Sequence, residues 1–312
     1  MILLSSIIET FEADLLESYQ DSLLPSHRQA LAAMKRCRTT LSPVMLAECE
    51  GCASQVYIPH SCGHRNCPHC QQHESQQWLE RQLQKRVPAG YFLVTFTLPK
   101  ELRSLAWQQQ RTFYSLMTSY AWETLKTFTQ NDPQLKGNAG AITVLHTHSR
   151  RLDYHPHVHC VIPAAAIDME QRLWRTKASK GKAKNAHKTG YLFNHKALAK
   201  VFRAKLLEAI RAEGLALPDH YPEKWVVDVK SVGSGDKALV YLGRYLYKGV
   251  IQEKDIIARR DGQVTFRYQD SKTKKMQTQT LPGAKFLWLI LQHVLPKGTL
   301  ATSAFYIPIA NA

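Results

Sequence analysis

At 312 residues the chain is long enough to bury a sizeable core without disulfide staples, as one large domain or two ordinary ones. Lys and Arg number 41 against 25 Asp and Glu, a net charge of +16 that points to a polyanionic partner and puts nucleic acid ahead of a membrane surface. No apolar run approaches the roughly 20 residues needed to span a bilayer, and the opening MILLSSIIETFEADLL carries acids where a secretory signal carries basic residues, so a cytoplasmic location is expected.

The elements follow from periodicity and punctuation. Residues 7–36 show helical spacing of apolar side chains interrupted by Pro25, and predict two helical segments. A Cys/His-rich loop region follows to about residue 73, then a short polar helix over 74–87 stopped by Pro88 and Gly90. A domain boundary is expected there, with 1–88 as a helical, metal-binding module and 89–312 as the second domain. YFLVTFTL (91–98) reads as a buried strand and 101–128 as a long helix. AITVLHTH (141–148) and HVHCVIP (157–163) read as an antiparallel strand pair joined by SRRLDYHP. The basic stretch 172–188 reads either as a solvated loop or as a clamp on phosphates. An amphipathic helix over 195–213 ends at Gly214, 224–230 alternates as a strand, and 236–250 is helical with Ser234 or Asp236 as its N-cap. Arg259-Arg260-Asp261-Gly262 signals a hairpin, and 283–295 a last apolar helix. The class is α+β.

Six of the seven cysteines fall between Cys37 and Cys70, and such clustering in a reducing compartment favours metal over disulfides. Cys49-Glu50-Gly51-Cys52 and Cys67-Pro68-His69-Cys70 are CxxC knuckles fourteen residues apart. Two such knuckles complete a tetrahedron of thiolates around Zn2+. Cys37, His60, Cys62 and His64 lie close by and could replace a member or make a second site, so the preference for Cys49, Cys52, Cys67 and Cys70 rests on paired spacing alone. Four thiolates leave no open position, and the expected role is structural: holding together a small DNA-binding or docking module.

Two further constellations carry chemistry. In a strand His157 and His159 face one way while Val158 and Cys160 face the other, so two imidazoles can grip one ion. The neighbouring strand brings His146 and His148, with His146 the candidate third ligand. Two or three imidazoles leave coordination positions open for an ion that polarises a phosphate. In 236–250, Leu239, Leu242, Leu246 and Val250 form one core-facing stripe. Tyr241 and Tyr245, one turn apart, turn away from it together with Lys237, Arg244 and Lys248, so the two phenols project from a basic, DNA-binding face. Tyr247 falls on the other side.

These motifs, in this order, resemble the HUH superfamily, and more closely the two-tyrosine IS91-type insertion-sequence transposases. FTLPKEL (96–102) is similar to the first rolling-circle motif, VLHTHSRRLDYHPHVHC (144–160) to the histidine motif, YLGRY (241–245) to the tyrosine motif, and SCGHRNCPHCQ (61–71) after CEGC to the N-terminal zinc module. The end TLATSAFYIPIANA departs from that pattern and reads as a truncated C-terminus. The resemblance implies a central antiparallel sheet flanked by helices in residues 89–312, with the histidine strand in the middle and the tyrosine helix alongside. It implies a catalytic Mg2+ or Mn2+ on the histidines, and nicking and joining of single-stranded element ends and target DNA through a 5′-phosphotyrosine made by Tyr241 or Tyr245. A rolling-circle replication initiator or relaxase, and a catalytically dead zinc-containing DNA-binding protein, are the alternatives.

Overall fold

The computed structural model describes residues 2–177, 192–247, 249–270, 273–299 and 302–305. In chain order the elements are α1 (Leu4–Tyr19), α2 (Pro25–Arg36), β1 (Val44–Glu48), β2 (Gln55–Pro59), α3 (Gln72–Gln84), β3 (Tyr91–Thr97), α4 (Arg103–Gln108), α5 (Gln110–Asn131), β4 (Ala141–His148) and β5 (Tyr154–Pro163). They continue as β6 (Ala165–Asp168), β7 (Leu173–Thr176), α6 (His195–Ala212), β8 (Val226–Ser231), α7 (Asp236–Tyr247), β9 (Ile256–Arg260), β10 (Gln263–Gln269), β11 (Met276–Pro282), α8 (Gly283–Leu291) and β12 (Thr302–Phe305). Four differences from the periodicity matter. The region read as loop contains the β1–β2 hairpin, the long helix breaks at Gln109 into α4 and α5, and the tyrosine helix ends at Tyr247, so Val250 is not on its stripe. Of the basic stretch, Leu173–Thr176 form β7, while residues 178–188 lie outside the described residues.

The chain divides into two compact units, the first made of Met1–Gln77, His148–Tyr154 and Tyr247–Lys297. Pro25 opens α2, where the missing N–H has no intrahelical acceptor to lose. α1 packs against α2 and α8, and the three-stranded sheet β11-β10-β9 joins them. Asp261 (φ 49°) and Gly262 (φ 71°) make the tight turn between β9 and β10 that the sequence signals. Gly283 permits the closest approach: a Cβ there would stand 2.3 Å from the Phe11 ring. The single boundary expected at residue 88 therefore does not describe this partition. α1 buries Ile7, Ile8, Phe11 and Leu15 in one cluster with Phe266, Phe286, Leu287 and Ile290, residues more than two hundred positions away. An amphipathic face is covered by whichever complementary face is available, irrespective of chain distance.

His293 in this unit is 4% exposed, and its Nε2–H donates to the Leu152 carbonyl at 3.0 Å. Burial pulls its pKa from 6.5 down to about 4. Above the unfolded value of 6.5 both states are neutral and the stability is fully present. As pH falls from there towards 4 the unfolded chain binds a proton that the folded one refuses. Up to about 3 kcal/mol should be lost across that window. Urea midpoints measured between about pH 7 and about pH 4.5 should show the loss, and His293→Gln should make it smaller, the remainder coming from other buried histidines such as His27.

The second unit comprises Trp78–Thr147, His155–Leu246 and Gly298–Ala312. Its five-stranded sheet has the order β12-β4-β5-β3-β8, with β3 antiparallel to both β5 and β8 and β12 antiparallel to β4. β5, the histidine strand, is central. The register pairs Val94 with Cys160 and Phe96 with Val158, and these buried side chains form the face packed by α6, with the Phe96 and Phe202 rings 4.7 Å apart. α6 begins at Asn194, whose side chain accepts the amides of Lys196 and Ala197, and also packs on α5 and β8. Among the described residues no helix is long and apolar enough to cross a membrane. The architecture is the expected α+β fold, a central antiparallel sheet with helices packed on it.

Candidate active site and cysteine cluster

Alternation along β5 sends His155, His157 and His159 to the face opposite Val158 and Cys160. Thr95 and Thr97 of β3 stand across from His159 and His157 and share that face. His146 of β4 completes the arrangement: its ring lies 4.3 Å from that of His159 and 5.1 Å from that of His157. One nitrogen from each of His146, His157 and His159 falls within 4.8 Å of the others, a group able to hold a metal ion. Their surroundings leave the ligating nitrogens ready. His157 Nδ1–H donates to the His155 carbonyl at 2.7 Å, and Thr95 Oγ1 is 2.8 Å from His159 Nδ1, so in both rings Nε2 is the nitrogen left to coordinate. His159 Nε2 is buried and has no hydrogen-bond partner among the described residues. Burial pulls His157 down to about 4 and His159 well below its usual value, which keeps both imidazoles neutral and their lone pairs available near neutral pH.

Residues that periodicity passed over support this group. Arg103, just after FTLPKEL, hydrogen-bonds His155 Nδ1, and His155 in turn holds His157 through its carbonyl. His155 is two residues before His157 and Thr95 sits at a polar position of an alternating strand, so both were open to the same period-two argument.

In α7, Leu239, Leu242 and Leu246 are buried and Tyr241 is 38% exposed, the division that the leucine stripe predicts. The Tyr241 ring lies 5.8 Å from the ring of His159 and 6.2 Å from that of His146. The structure thus brings Tyr241 beside His146 and His159. Lys237 is exposed on the same helix. The side chains of Arg244, Tyr245 and Tyr247, and all of Lys248, lie outside the described residues.

The cysteines are grouped differently from the paired spacing. Cys67 and Cys70 come together with Cys37 and Cys62, all four sulfurs within 4.8 Å of one another. Cys37 to Cys70 is 3.4 Å, Cys37 to Cys67 3.5 Å and Cys62 to Cys70 3.6 Å. A disulfide needs about 2.05 Å, whereas a zinc tetrahedron with bonds of about 2.3 Å has sulfur–sulfur edges of about 3.8 Å. The quartet fits zinc. Packed together, the thiols split: burial pushes Cys37 up to about 12, while the hydrogen bond from Cys67 pulls Cys62 down to about 5. Cys49 and Cys52 are instead exposed, in the turn joining β1 to β2. Five residues of strand at about 3.3 Å each carry that turn some 16 Å from the hairpin's base. In the structure Cys37 and Cys62 thus stand beside Cys67 and Cys70 where spacing placed Cys49 and Cys52, because a hairpin carries the latter pair away. His64, whose Nδ1 accepts the Asn66 amide, and His60 are not in the group.

Comparisons with known proteins identify the family of the chain. The family model described as "Putative transposase" matches residues 140–305, which hold both histidine strands and the tyrosine helix. The one described as "Transposase zinc-binding domain" matches residues 7–98, which hold every cysteine except Cys160. The chain is 28% identical over 300 residues to "Putative transposase y4qJ" of Sinorhizobium fredii, covering 89% of this chain and 73% of that protein. It is 25% identical over 280 residues to the transposase for insertion sequence element IS801 of Pseudomonas savastanoi pv. phaseolicola, covering 86% and 67%. Among solved structures, TrwC complexed with a 27-mer DNA matches at 18% identity and a TM-score of 0.29, over 43% of this chain and 49% of that one, so the chain spans about half the length of that relative. With one family model covering more than half of its length and the other its N-terminal part, the chain belongs to the IS91-type transposases that carry an N-terminal zinc-binding domain.

Proposed function

We propose that this transposase nicks and rejoins single-stranded DNA with a tyrosine nucleophile and a divalent cation, in rolling-circle transposition. The observation that carries this is the placement of Tyr241 against His146 and His159 on the sheet face opposite α6. His146, His157 and His159 would hold Mg2+ or Mn2+, which when bound supplies a Lewis acid for the scissile phosphate. The protein's own groups do the rest. The His155 carbonyl and Thr95 hold two imidazoles in the ligating orientation. Tyr241 supplies the phenol: its oxygen bonds to phosphorus, the bond to the 3′ oxygen breaks, and the products are a 5′-phosphotyrosine and a 3′-hydroxyl. The phosphotyrosine retains the phosphodiester's energy, so the reverse attack by a 3′-hydroxyl rejoins the strand without ATP. Tyr245, one turn along the same helix, is proposed as the second nucleophile, and Lys237, Arg244 and Lys248 as phosphate contacts. The quartet Cys37, Cys62, Cys67 and Cys70 would hold zinc as a structural ion.

The test is an adduct assay on a single-stranded substrate with Mg2+ or Mn2+. Covalent protein–DNA complexes should map by mass spectrometry to Tyr241 or Tyr245. Each single Phe substitution should retain some adduct and the double substitution none. An adduct on Tyr247, or nicking with no tyrosine adduct, overturns the mechanism.

A further inference from the structure

Cys49 and Cys52, left out of the quartet, stand at the tip of a hairpin whose apolar side chains are largely exposed among the described residues. Val44, Met45, Leu46, Val56, Tyr57 and Ile58 are each between 38% and 69% exposed, so both faces of the ribbon carry large apolar side chains in water. An isolated two-stranded hairpin is marginal in water, and apolar surface this concentrated marks an interaction site. DNA does not suit it. No Lys or Arg occurs between Arg38 and Arg65, in a chain that has 41 of them.

The tip itself has the form of half a metal site. The Cys49 amide donates to the Ser54 carbonyl at 2.9 Å and the Ala53 amide to the Cys49 carbonyl at 2.8 Å, closing a tight turn in which Ala53 takes a left-handed φ of 55°. Both thiols are exposed, and Cys52 Sγ donates to Ser54 Oγ at 3.1 Å. Zinc requires four ligands. Among the described residues no His, Cys, Asp or Glu joins this pair to make a group of three. The missing two thiolates are supplied without any new chemistry by the same pair on a second copy, since a two-fold interface presents identical patches to each other.

We propose that two copies of this chain bridge through one zinc ion held by Cys49 and Cys52 of each, with the apolar hairpins packed around it. Each of the four thiols releases its proton to solvent on binding and keeps its sulfur lone pair for the metal. The bridge rests on zinc occupancy of the quartet only for the metal count, not for the assembly state. Zinc-replete full-length protein should sediment as a dimer and carry about three zinc ions per two chains, one in each quartet and one shared. The double substitution Cys49→Ser/Cys52→Ser should sediment as a monomer with about two zinc ions per two chains. Its circular dichroism should be unchanged, because both side chains are exposed. A wild-type monomer, or a double variant that remains dimeric, overturns the bridge. So does a wild-type monomer with two zinc ions per chain, which would mean that the pair closes its site within one chain. If instead the quartet assignment fails, both counts drop equally while the difference in sedimentation persists.

Discussion

Replacing His157 or His159 with alanine should reduce nicking by about a thousandfold or more, because a polarising cation contributes several kcal/mol to the transition state of phosphoryl transfer. DNA affinity should stay within a few-fold of the parent. Phosphate binding comes from a surface whose net charge is +16, and should weaken steeply with salt for parent and variants alike. Thr95→Val is the graded companion: it removes the hydroxyl beside His159 Nδ1 but no ligand. It should lower metal affinity about 10- to 100-fold, with activity recovered at high Mg2+ or Mn2+. Nicking by either alanine variant at the parent rate would remove the three-histidine group from the mechanism, and an unresponsive Thr95→Val would remove its positioning partner.

Cys37→Ser and Cys62→Ser should each strip the quartet's zinc, while Cys49→Ser and Cys52→Ser should leave that ion bound. Structural zinc sites in small modules are worth on the order of 10 kcal/mol of coupled folding. In this unit Cys37, Cys67 and Cys70 belong to the same buried cluster as Ile7, Phe11 and Phe286, so the loss should spread beyond the cysteine segment. A fall in Tm on the order of 10 °C or more is expected for the unit, with the second unit's sheet retained in hydrogen exchange. X-ray absorption on the parent should show sulfur ligands only, near about 2.3 Å. A full zinc ion per chain retained by Cys37→Ser and lost from Cys49→Ser would reinstate the grouping that spacing suggests.

Much of this protein is determined by local chemistry and so is legible in the sequence. Period-two alternation in HPHVHCVIP puts His157 and His159 on one face whatever strands lie beside it. The leucines at 239, 242 and 246 orient α7 and send Tyr241 outwards, and Asp261-Gly262 specifies its turn through the left-handed φ that both residues accept. The order of the histidine, tyrosine and cysteine motifs identifies the family because it samples widely separated parts of the chain. Tertiary structure alone decided the rest. Which four cysteines meet depends on where the β1–β2 hairpin leaves the surface, and those strands, exposed on both faces, give no alternation to read. That α1 completes its core with α8 and β10 is a long-range pairing of apolar faces, which residue spacing cannot encode. The contribution of His146 comes from strand adjacency: β4 lies next to β5 in the sheet, so a side chain thirteen residues away in sequence arrives 4.3 Å from the ring of His159.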